Sequence, residues 1–485
     1  MRRNSVGHMD QGAGRPAVTD DALSAATLER LSTWIAGQRW YGGNAGLPRL
    51  RALGSYELPT GTPDVAAHAL LVMDEAPARP VLYQVPVTLR RAPSGVAEEH
   101  LIGTLDDGTL VFDGPHDPVF TRALLELLTG GTVAIDSGVT AQGRLSGTDA
   151  AGRVDPGSLV SRVLTGEQSN SSIIYEPREP GAARPLICKV YRRLHHGENP
   201  DVTLPTALAE GGSPHVPASI GALTGTWDDV GRESGRATGH LAFAQEFLPG
   251  VEDAWRVALR AAATGEPFAG PARELGVATA EVHASLAAAF GTRAATRERD
   301  LRAVEAWHRR LGTAVREVPA LAPHRSAIEA VYARAEDATW PALQRIHGDL
   351  HLGQVVAAPG RPWVLLDFEG EPLRPMAERT GNDLALRDVA GMLRSFDYAT
   401  GSVAQSGGAS DDDLRAWAGV ARRAYLDGYA EVAGEDPRAH RDLLAALELD
   451  KAVYEAIYET RTRPAWVTIP LTAIDRLLAG ADPAS

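Results

Sequence analysis

The densest run of chemistry-bearing side chains is His347-Gly348-Asp349-Leu350-His351-Leu352-Gly353-Gln354. An apolar stretch follows and ends in Leu365-Leu366-Asp367-Phe368-Glu369-Gly370. A carboxylate, a side-chain amide five residues on, and a second carboxylate closing an apolar strand suit phosphoryl transfer. One carboxylate faces the acceptor hydroxyl and takes its proton as the phosphoryl group moves. The cation that neutralises the phosphates is hard and takes oxygen ligands, few of them from the protein. On this reading Asp349 is the base, and Gln354 and Asp367 hold Mg²⁺. Two other readings of the same residues stay open. His347, Asp349 and His351 alternate, so on a strand they would share one face and offer a transition-metal site, as in a metal-dependent hydrolase. They could equally form a hydrogen-bonded structural network. The apolar strand that delivers Asp367 favours phosphoryl transfer.

Upstream, Thr165-Gly166-Glu167-Gln168-Ser169-Asn170-Ser171-Ser172 joins two β-like runs. The Walker pattern G-x-x-x-x-G-K-[ST] is absent from the chain. Ser169, Asn170 and Ser171 can still offer hydroxyl and N–H donors to phosphates. Lys189 follows on a strand, between Ile187-Cys188 and Val190-Tyr191, and then comes a hinge-like Gln245-Glu246-Phe247-Leu248. Loop, strand lysine and hinge, in that order, are what an ATP-binding β-lobe needs. Of the 48 basic residues only Lys189 and Lys451 are lysine. In an arginine-rich chain, a surviving lysine marks a place that needs a compact ammonium and not a planar fork.

Lys451 lies in a helical pattern with Glu448, Glu455 and Tyr458 on one face, Tyr454 beside them and Glu459 next in line. That face is either a solvated stripe of ion pairs or a polar wall for a hydroxyl-rich ligand. In the second case Trp466 adds a stacking surface.

These residues need elements to hold them. Residues 21–36 have helical spacing, 67–90 hold two β-like runs, Asp107–Gly108 reads as a hairpin turn, and 120–128 as a short helix. Strand patterns continue from about 138, with a short helix in Asn199-Pro200-Asp201-Val202-Thr203 onward. The segment 224–240, polar and rich in glycine, reads as a loop. After 250 the chain reads as helical, interrupted at 343–370 by strand-like pieces. The expected division is a mobile tail (1–20), a cap (21–135), a β-rich ATP-binding lobe (136–249) and a helical catalytic and sugar-binding lobe (250–485). The fold class is α+β.

Composition bounds the rest. The 485 residues carry 48 basic and 62 acidic side chains, a net charge of −14, which argues against nucleic acid as partner. One cysteine implies no internal disulfide and a reducing compartment. The chain shows neither a signal peptide nor an apolar run of membrane-spanning length. A cytoplasmic monomer is expected.

IHGDLHLGQV, WVLLDFEGEP, LRDVAGMLRSFDYA and ELDKAVYEAIYE, with RPAWVTIPL, QRWYGG and YQVPVTLR, resemble the bacterial maltokinases, in the aminoglycoside-phosphotransferase-like branch of the kinase-like fold. HGDLHLGQ with DFEG is shared more widely, including with actinobacterial glucosamine kinases. The resemblance implies a bilobal protein-kinase-like fold with an N-terminal α+β cap. It implies transfer of the ATP γ-phosphate to the anomeric hydroxyl of maltose, giving maltose 1-phosphate for α-glucan (glycogen) synthesis. Asp349 would be the base, Gln354 and Asp367 would bind Mg²⁺, and Lys189 would hold the ATP phosphates. Ser169, Asn170, Ser171, Gln245, Glu246 and Leu248 would also contact ATP. Asp349, His351, Glu448, Lys451, Tyr454, Glu455 and Trp466 would face the sugar, and trehalose synthase is an implied partner. The chain departs from the pattern at Thr203, where relatives place the Glu that pairs with the strand lysine. Asp201 and Glu210 are the substitutes in reach.

Overall fold

The computed structural model describes residues 25–480, except 43–46, 78, 93–94, 148–153, 166–168, 180, 182, 373 and 408. The 1–20 tail therefore lies outside the described residues, as do Gly166, Glu167 and Gln168 of the polar loop. Two compact units form, residues 1–198 with 219–247, and residues 199–218 with 248–485.

The first unit opens with helix α1 (Ala25–Ala36) and strands β1 (Leu50–Leu58), β2 (Val65–Asp74), β3 (Val81–Arg90), β4 (Leu101–Thr104) and β5 (Leu110–Asp113). They form an antiparallel sheet in the order β1-β2-β3-β5-β4. Period-two alternation sends Leu70 and Val72 of β2, and Tyr83, Val85, Val87 and Leu89 of β3, to one face. Leu31 and Ile35 of α1, with Trp40, cover that face. Gly108 closes the β4–β5 hairpin at φ +83°.

Helix α2 (Pro118–Thr129) leads to a second sheet made of β6 (Val133–Asp136), β7 (Val139–Leu145), β8 (Leu159–Val163), β9 (Asn170–Pro177), β10 (Leu186–Tyr191), β12 (Ser219–Asp228) and β13 (Arg236–Glu246). Its order is β6-β7-β12-β13-β10-β9-β8, and a two-residue strand, β11 (Arg193–Leu194), pairs with β3 of the first sheet. The expected loop at 224–240 is mostly strand, and only 229–235 turns. Its glycines serve close packing. A Cβ on Gly239 would stand 2.2 Å from the His195 carbonyl oxygen, and one on Gly225 2.6 Å from the Leu241 side chain. Glycine within a strand marks such approaches as readily as it marks turns.

The second unit begins with α3 (Pro200–Glu210). Asn199 caps it by accepting from the Asp201 N–H at 3.0 Å, and Pro200 takes the first helical position. Three short strands pair antiparallel, β14 (Glu252–Asp253), β15 (Val355–Ala357) and β16 (Val364–Leu365). The remainder is helical: α4 (Ala254–Thr264), α5 (Ala269–Phe290), α6 (Arg297–Glu317), α7 (Arg325–Asp337), α8 (Met376–Arg379), α9 (Leu386–Ser406), α10 (Asp411–Ala433), α11 (Arg441–Thr462) and α12 (Thr468–Leu478). Leu275, Trp307, Tyr332, Leu393, Phe396, Tyr425 and Leu447 meet in one continuous core from six of these helices. Among the described residues, no helix is long and apolar enough to cross a membrane.

Candidate active site

The segment 347–351 is irregular, not a strand, and Gly348 takes φ +86°. Three residues on one face of α9 hold it. The buried Asp388 accepts the His347 N–H on Oδ2 and the Gly348 N–H on Oδ1, each at 2.8 Å. One turn on, Gly391 leaves room for the Leu350 carbonyl oxygen, which a Cβ there would meet at 2.5 Å. Next, the Ser395 hydroxyl accepts from the Leu352 N–H at 3.3 Å. Asp388 Oδ2 also lies 2.9 Å from His283 Nε2, and the Tyr429 hydroxyl lies 2.9 Å from His283 Nδ1. Sequence reasoning missed this set. Its trace is the spacing of Asp388, Gly391 and Ser395 in LRDVAGMLRS.

The two-histidine metal site does not assemble. His347 Nε2 bonds the Leu366 carbonyl oxygen at 2.9 Å, its Nδ1 accepts the Asp349 N–H at 3.4 Å, and its ring packs on Phe368 with centroids 4.5 Å apart. Both ring nitrogens are engaged, so no lone pair is left for a cation. His351 Nδ1 accepts the Gly353 N–H at 3.1 Å. Burial lowers the His351 pKa, which favours the neutral ring beside Asp349.

Asp349 has a partner that the catalytic segment does not disclose. Lys451 Nζ, arriving on α11, donates to Asp349 Oδ1 at 2.8 Å and to Glu371 Oε1 at 2.7 Å. The lysine side chain is only 16% exposed, so the solvated-stripe reading fails for it. Burial alone would raise the Asp349 pKa, but the Lys451 ammonium outweighs it and holds the carboxyl down at about 2. The same two carboxylates push Lys451 above its ordinary value against the opposing effect of burial. Its ammonium also lies 5.1 Å from the centroid of the Tyr454 ring. Asp349, Lys451, Glu371, Arg387 and Asp450 border a small void of about 10 Å³, the size of one water.

Asp367 stands out by its backbone, at φ +65° the one non-glycine residue with positive φ among those described. Its Oδ2 accepts from Gln354 Nε2 at 3.1 Å, so the two expected metal ligands do meet. Asp201 is buried on α3 and accepts the Phe368 N–H at 3.1 Å. Carboxylate oxygens of Asp201, Asp367 and Glu369 lie within 4.8 Å of one another. This all-oxygen donor set fits Mg²⁺ and not a soft metal. Gln354 joins such a set through Oε1, which requires its terminal amide to turn over from the recorded orientation. Glu210, the other proposed substitute for the missing helix Glu, is exposed at the end of α3.

In the first unit, Lys189 sits at the centre of β10, in register with Ser172 of β9 and Phe243 of β13. Leu186, Cys188 and Val190 are buried, whereas Ile187 and Lys189 share a half-open face, so the strand is not apolar on both sides. Ser171 Oγ accepts from Arg192 Nε at 2.9 Å, and Asn170 Nδ2 donates to Ser169 Oγ at 3.1 Å. Gln245 and Glu246 close β13 opposite Ile187 and Leu186, and Leu248 begins the second unit's main segment.

The expected sugar wall is only partly built as drawn. Glu448 is 1% exposed and accepts from both terminal nitrogens of Arg422, at 2.9 and 3.2 Å, so no sugar hydroxyl reaches it. Glu455 accepts from Arg394 Nη2 at 2.8 Å. Glu459 is buried, takes the Tyr398 hydroxyl, and pairs with Arg463 Nε at 2.9 Å. Tyr458 is exposed. Trp466 stacks on Tyr398, centroids 6.3 Å apart, with the Arg463 guanidinium 4.6 Å from its ring. Lys451 and Tyr454 thus face Asp349, while Glu455, Tyr398 and Trp466 form a neighbouring aromatic and ion-paired surface.

Residues 178–443 match the phosphotransferase enzyme family, and residues 34–117 match the maltokinase N-terminal cap domain. The chain belongs to the phosphotransferase enzyme family. A glucosamine kinase of Streptacidiphilus jiangxiensis is 33% identical over 293 residues, and the match covers 56% of this chain and 64% of that enzyme. A glucosamine kinase of Mycolicibacterium smegmatis is 29% identical over 382 residues, covering 75% and 89%. A solved glucosamine kinase superimposes with a TM-score of 0.65 at 25% identity, over 92% of this chain and 99% of that one. The phosphotransferase is accordingly kinase-like in fold, with a β-rich N-terminal region and a helical C-terminal region.

Proposed function

We propose that this phosphotransferase is an ATP-dependent sugar kinase that phosphorylates maltose at its anomeric hydroxyl, releasing maltose 1-phosphate and ADP for α-glucan synthesis. The observation that carries the reading is Asp349, ionised by Lys451, on the same short stretch of chain as the bonded Gln354–Asp367 pair. Lys451 engages Oδ1, and Oδ2 is assigned to the acceptor hydroxyl. As the anomeric oxygen bonds to the γ-phosphorus and the bond to the ADP oxygen breaks, Asp349 takes the hydroxyl proton. Mg²⁺, held by Gln354 and Asp367 with Asp201 and Glu369 nearby, would neutralise phosphate charge. Lys189 is assigned to the ATP phosphates, Ser169, Asn170 and Ser171 to the same end of the nucleotide, and Gln245, Glu246 and Leu248 to its base. His351, Lys451, Tyr454, Glu455 and Trp466 are assigned to the sugar, and trehalose synthase to the supply of maltose.

The cap domain supports maltose. Glucosamine is the second reading, favoured by the two relatives named for that sugar. An amino sugar calls for a carboxylate facing its ammonium, and Glu448, Glu455 and Glu459 are each already paired with an arginine. ADP release measured with Mg²⁺ across maltose, glucosamine, glucose and trehalose tests the choice. Release with maltose is expected, and release with glucosamine but not maltose would overturn it.

A further inference from the structure

Trp40, Gln84 and Asp113 of the cap converge on the end of the strand that bears Lys189. Arg192 follows that lysine by three residues and is fully buried. Its Nη2 donates to both carboxylate oxygens of Asp113, at the end of β5, at 2.8 and 3.1 Å. Its guanidinium carbon lies 4.9 Å from the ring of Trp40, which packs in turn on Tyr83. Its Nε reaches Ser171, the first residues of β9 being those assigned to phosphate. From β3, the Gln84 N–H donates to the Arg192 carbonyl at 2.7 Å. The Gln84 side-chain amide donates to the carbonyls of Tyr191 and Leu241 at 2.9 and 3.0 Å, while its oxygen accepts from the Tyr56 hydroxyl at 2.9 Å.

We infer that the cap is a positioning element for the nucleotide lysine, with Arg192 and Gln84 as the residues through which it sets β10 against β9. The inference rests on the assignment of Lys189 to the ATP phosphates. The physical argument is directional. A buried charge is seldom worth its desolvation as a source of stability alone, since well-packed apolar groups do as well. What the guanidinium adds is a planar fork that bonds two strands and stacks on an indole at once, which an ammonium cannot do. The bonds join the cap to β9, which leaves the phosphate loop, and to the end of β10, which bears Lys189, so a shift of the cap moves Ser171 and Lys189 together.

The test uses the full chain. Arg192→Lys keeps the charge and loses the fork, and Trp40→Leu removes the stacking face and keeps an apolar side chain. Each is assayed for kcat, for KM toward ATP and toward the acceptor, and for melting temperature. We expect Arg192→Lys to raise KM for ATP by about tenfold, and Trp40→Leu by less, with kcat and acceptor KM little changed, because small misplacements of a binding group are costly. A purely structural role would lower the folded fraction and leave both KM values where they are. In combination with Lys189→Arg, the Arg192→Lys effect on ATP KM should largely vanish, since both act through one ammonium. If Arg192→Lys does not fold, Trp40→Leu carries the comparison. A raised ATP KM in Lys189→Arg beside unchanged values in the cap variants, or full additivity, would overturn the role of the cap. An unchanged ATP KM in Lys189→Arg would overturn the nucleotide assignment itself.

Discussion

Replacing Lys451 with methionine removes one positive charge from between two carboxylates and keeps the apolar stem. Asp349 Oδ1 and Glu371 Oε1 lie 2.8 and 2.7 Å from the ammonium, so they are at most about 5.5 Å apart. In the parent, Asp349 sits at about 2 against an ordinary 3.8. That difference is worth about 2 kcal/mol in favour of the carboxylate, at ~1.36 kcal/mol per unit. Without the lysine this benefit is lost and the two negative charges repel. At an effective dielectric constant of about 20, repulsion at that distance is roughly 3 kcal/mol, or about two pKa units. One of the two carboxyls should then titrate near about pH 6, as a property of the pair and not of one residue.

The assay is the pH dependence of kcat/KM for the acceptor at saturating ATP. The parent should show no acid limb from Asp349 above about pH 4, because its carboxyl is ionised throughout. Lys451→Met should show a limb near about pH 6, together with a lower melting temperature, since removing one partner of a buried pair strands the other. Adding Glu371→Gln should return the limb toward acid, because one carboxylate then stands alone. Superimposable profiles for parent and Lys451→Met between about pH 4.5 and 7 would refute the clamp. The stability sign follows the same way. The depressed Asp349 pKa contributes stability that is fully present above about pH 4 and is lost as pH falls toward about 2. Lys451→Arg should also lower activity, because the void beside the ammonium holds about 10 Å³, too little for a planar fork.

Two further outcomes follow from the geometry. Asp349→Asn should cut kcat by at least about 10²-fold while leaving ATP affinity nearly intact by calorimetry, and undiminished turnover would sink its role as base. Gly391→Ala should drive the catalytic segment off α9, because the added methyl meets the Leu350 carbonyl at 2.5 Å. It should destabilise by about 1–3 kcal/mol and lower kcat more than the melting shift explains, and parental kcat in a folded variant would show that the segment is not held there.

How much of this site can be read from the chain depends on how local each contact is. Asp349, Gln354 and Asp367 fall within twenty residues, and their spacing alone points to phosphoryl transfer. The lysine count singled out Lys451, but its partner Asp349 is 102 residues away, a distance that no periodicity reports. Helical spacing put Glu448, Lys451 and Glu455 on one face of α11 and could not say what covers that face. Arg422 of α10 and Arg394 of α9 do: Arg422 turns the expected sugar contact at Glu448 into a buried structural ion pair, and Arg394 pairs with Glu455. The same limit explains the glycines of 225 and 239, read as turn residues until Leu241 and His195 are seen against them.

The coverage of α11 in turn bears on the acceptor. Each carboxylate on that helix is paired with an arginine, except that Lys451 itself spans Asp349 and Glu371. The cation that an amino sugar would bring is therefore already present as a side chain. A neutral polyol can exchange hydroxyl hydrogen bonds with these pairs without breaking them, whereas a second ammonium beside Lys451 would have to compete with it for the carboxylate that takes the proton. Lys451→Met should accordingly shift relative turnover toward glucosamine if an amino sugar enters this pocket at all. A glucosamine-to-maltose ratio that does not rise in that variant would mean the acceptor nitrogen lies away from Asp349.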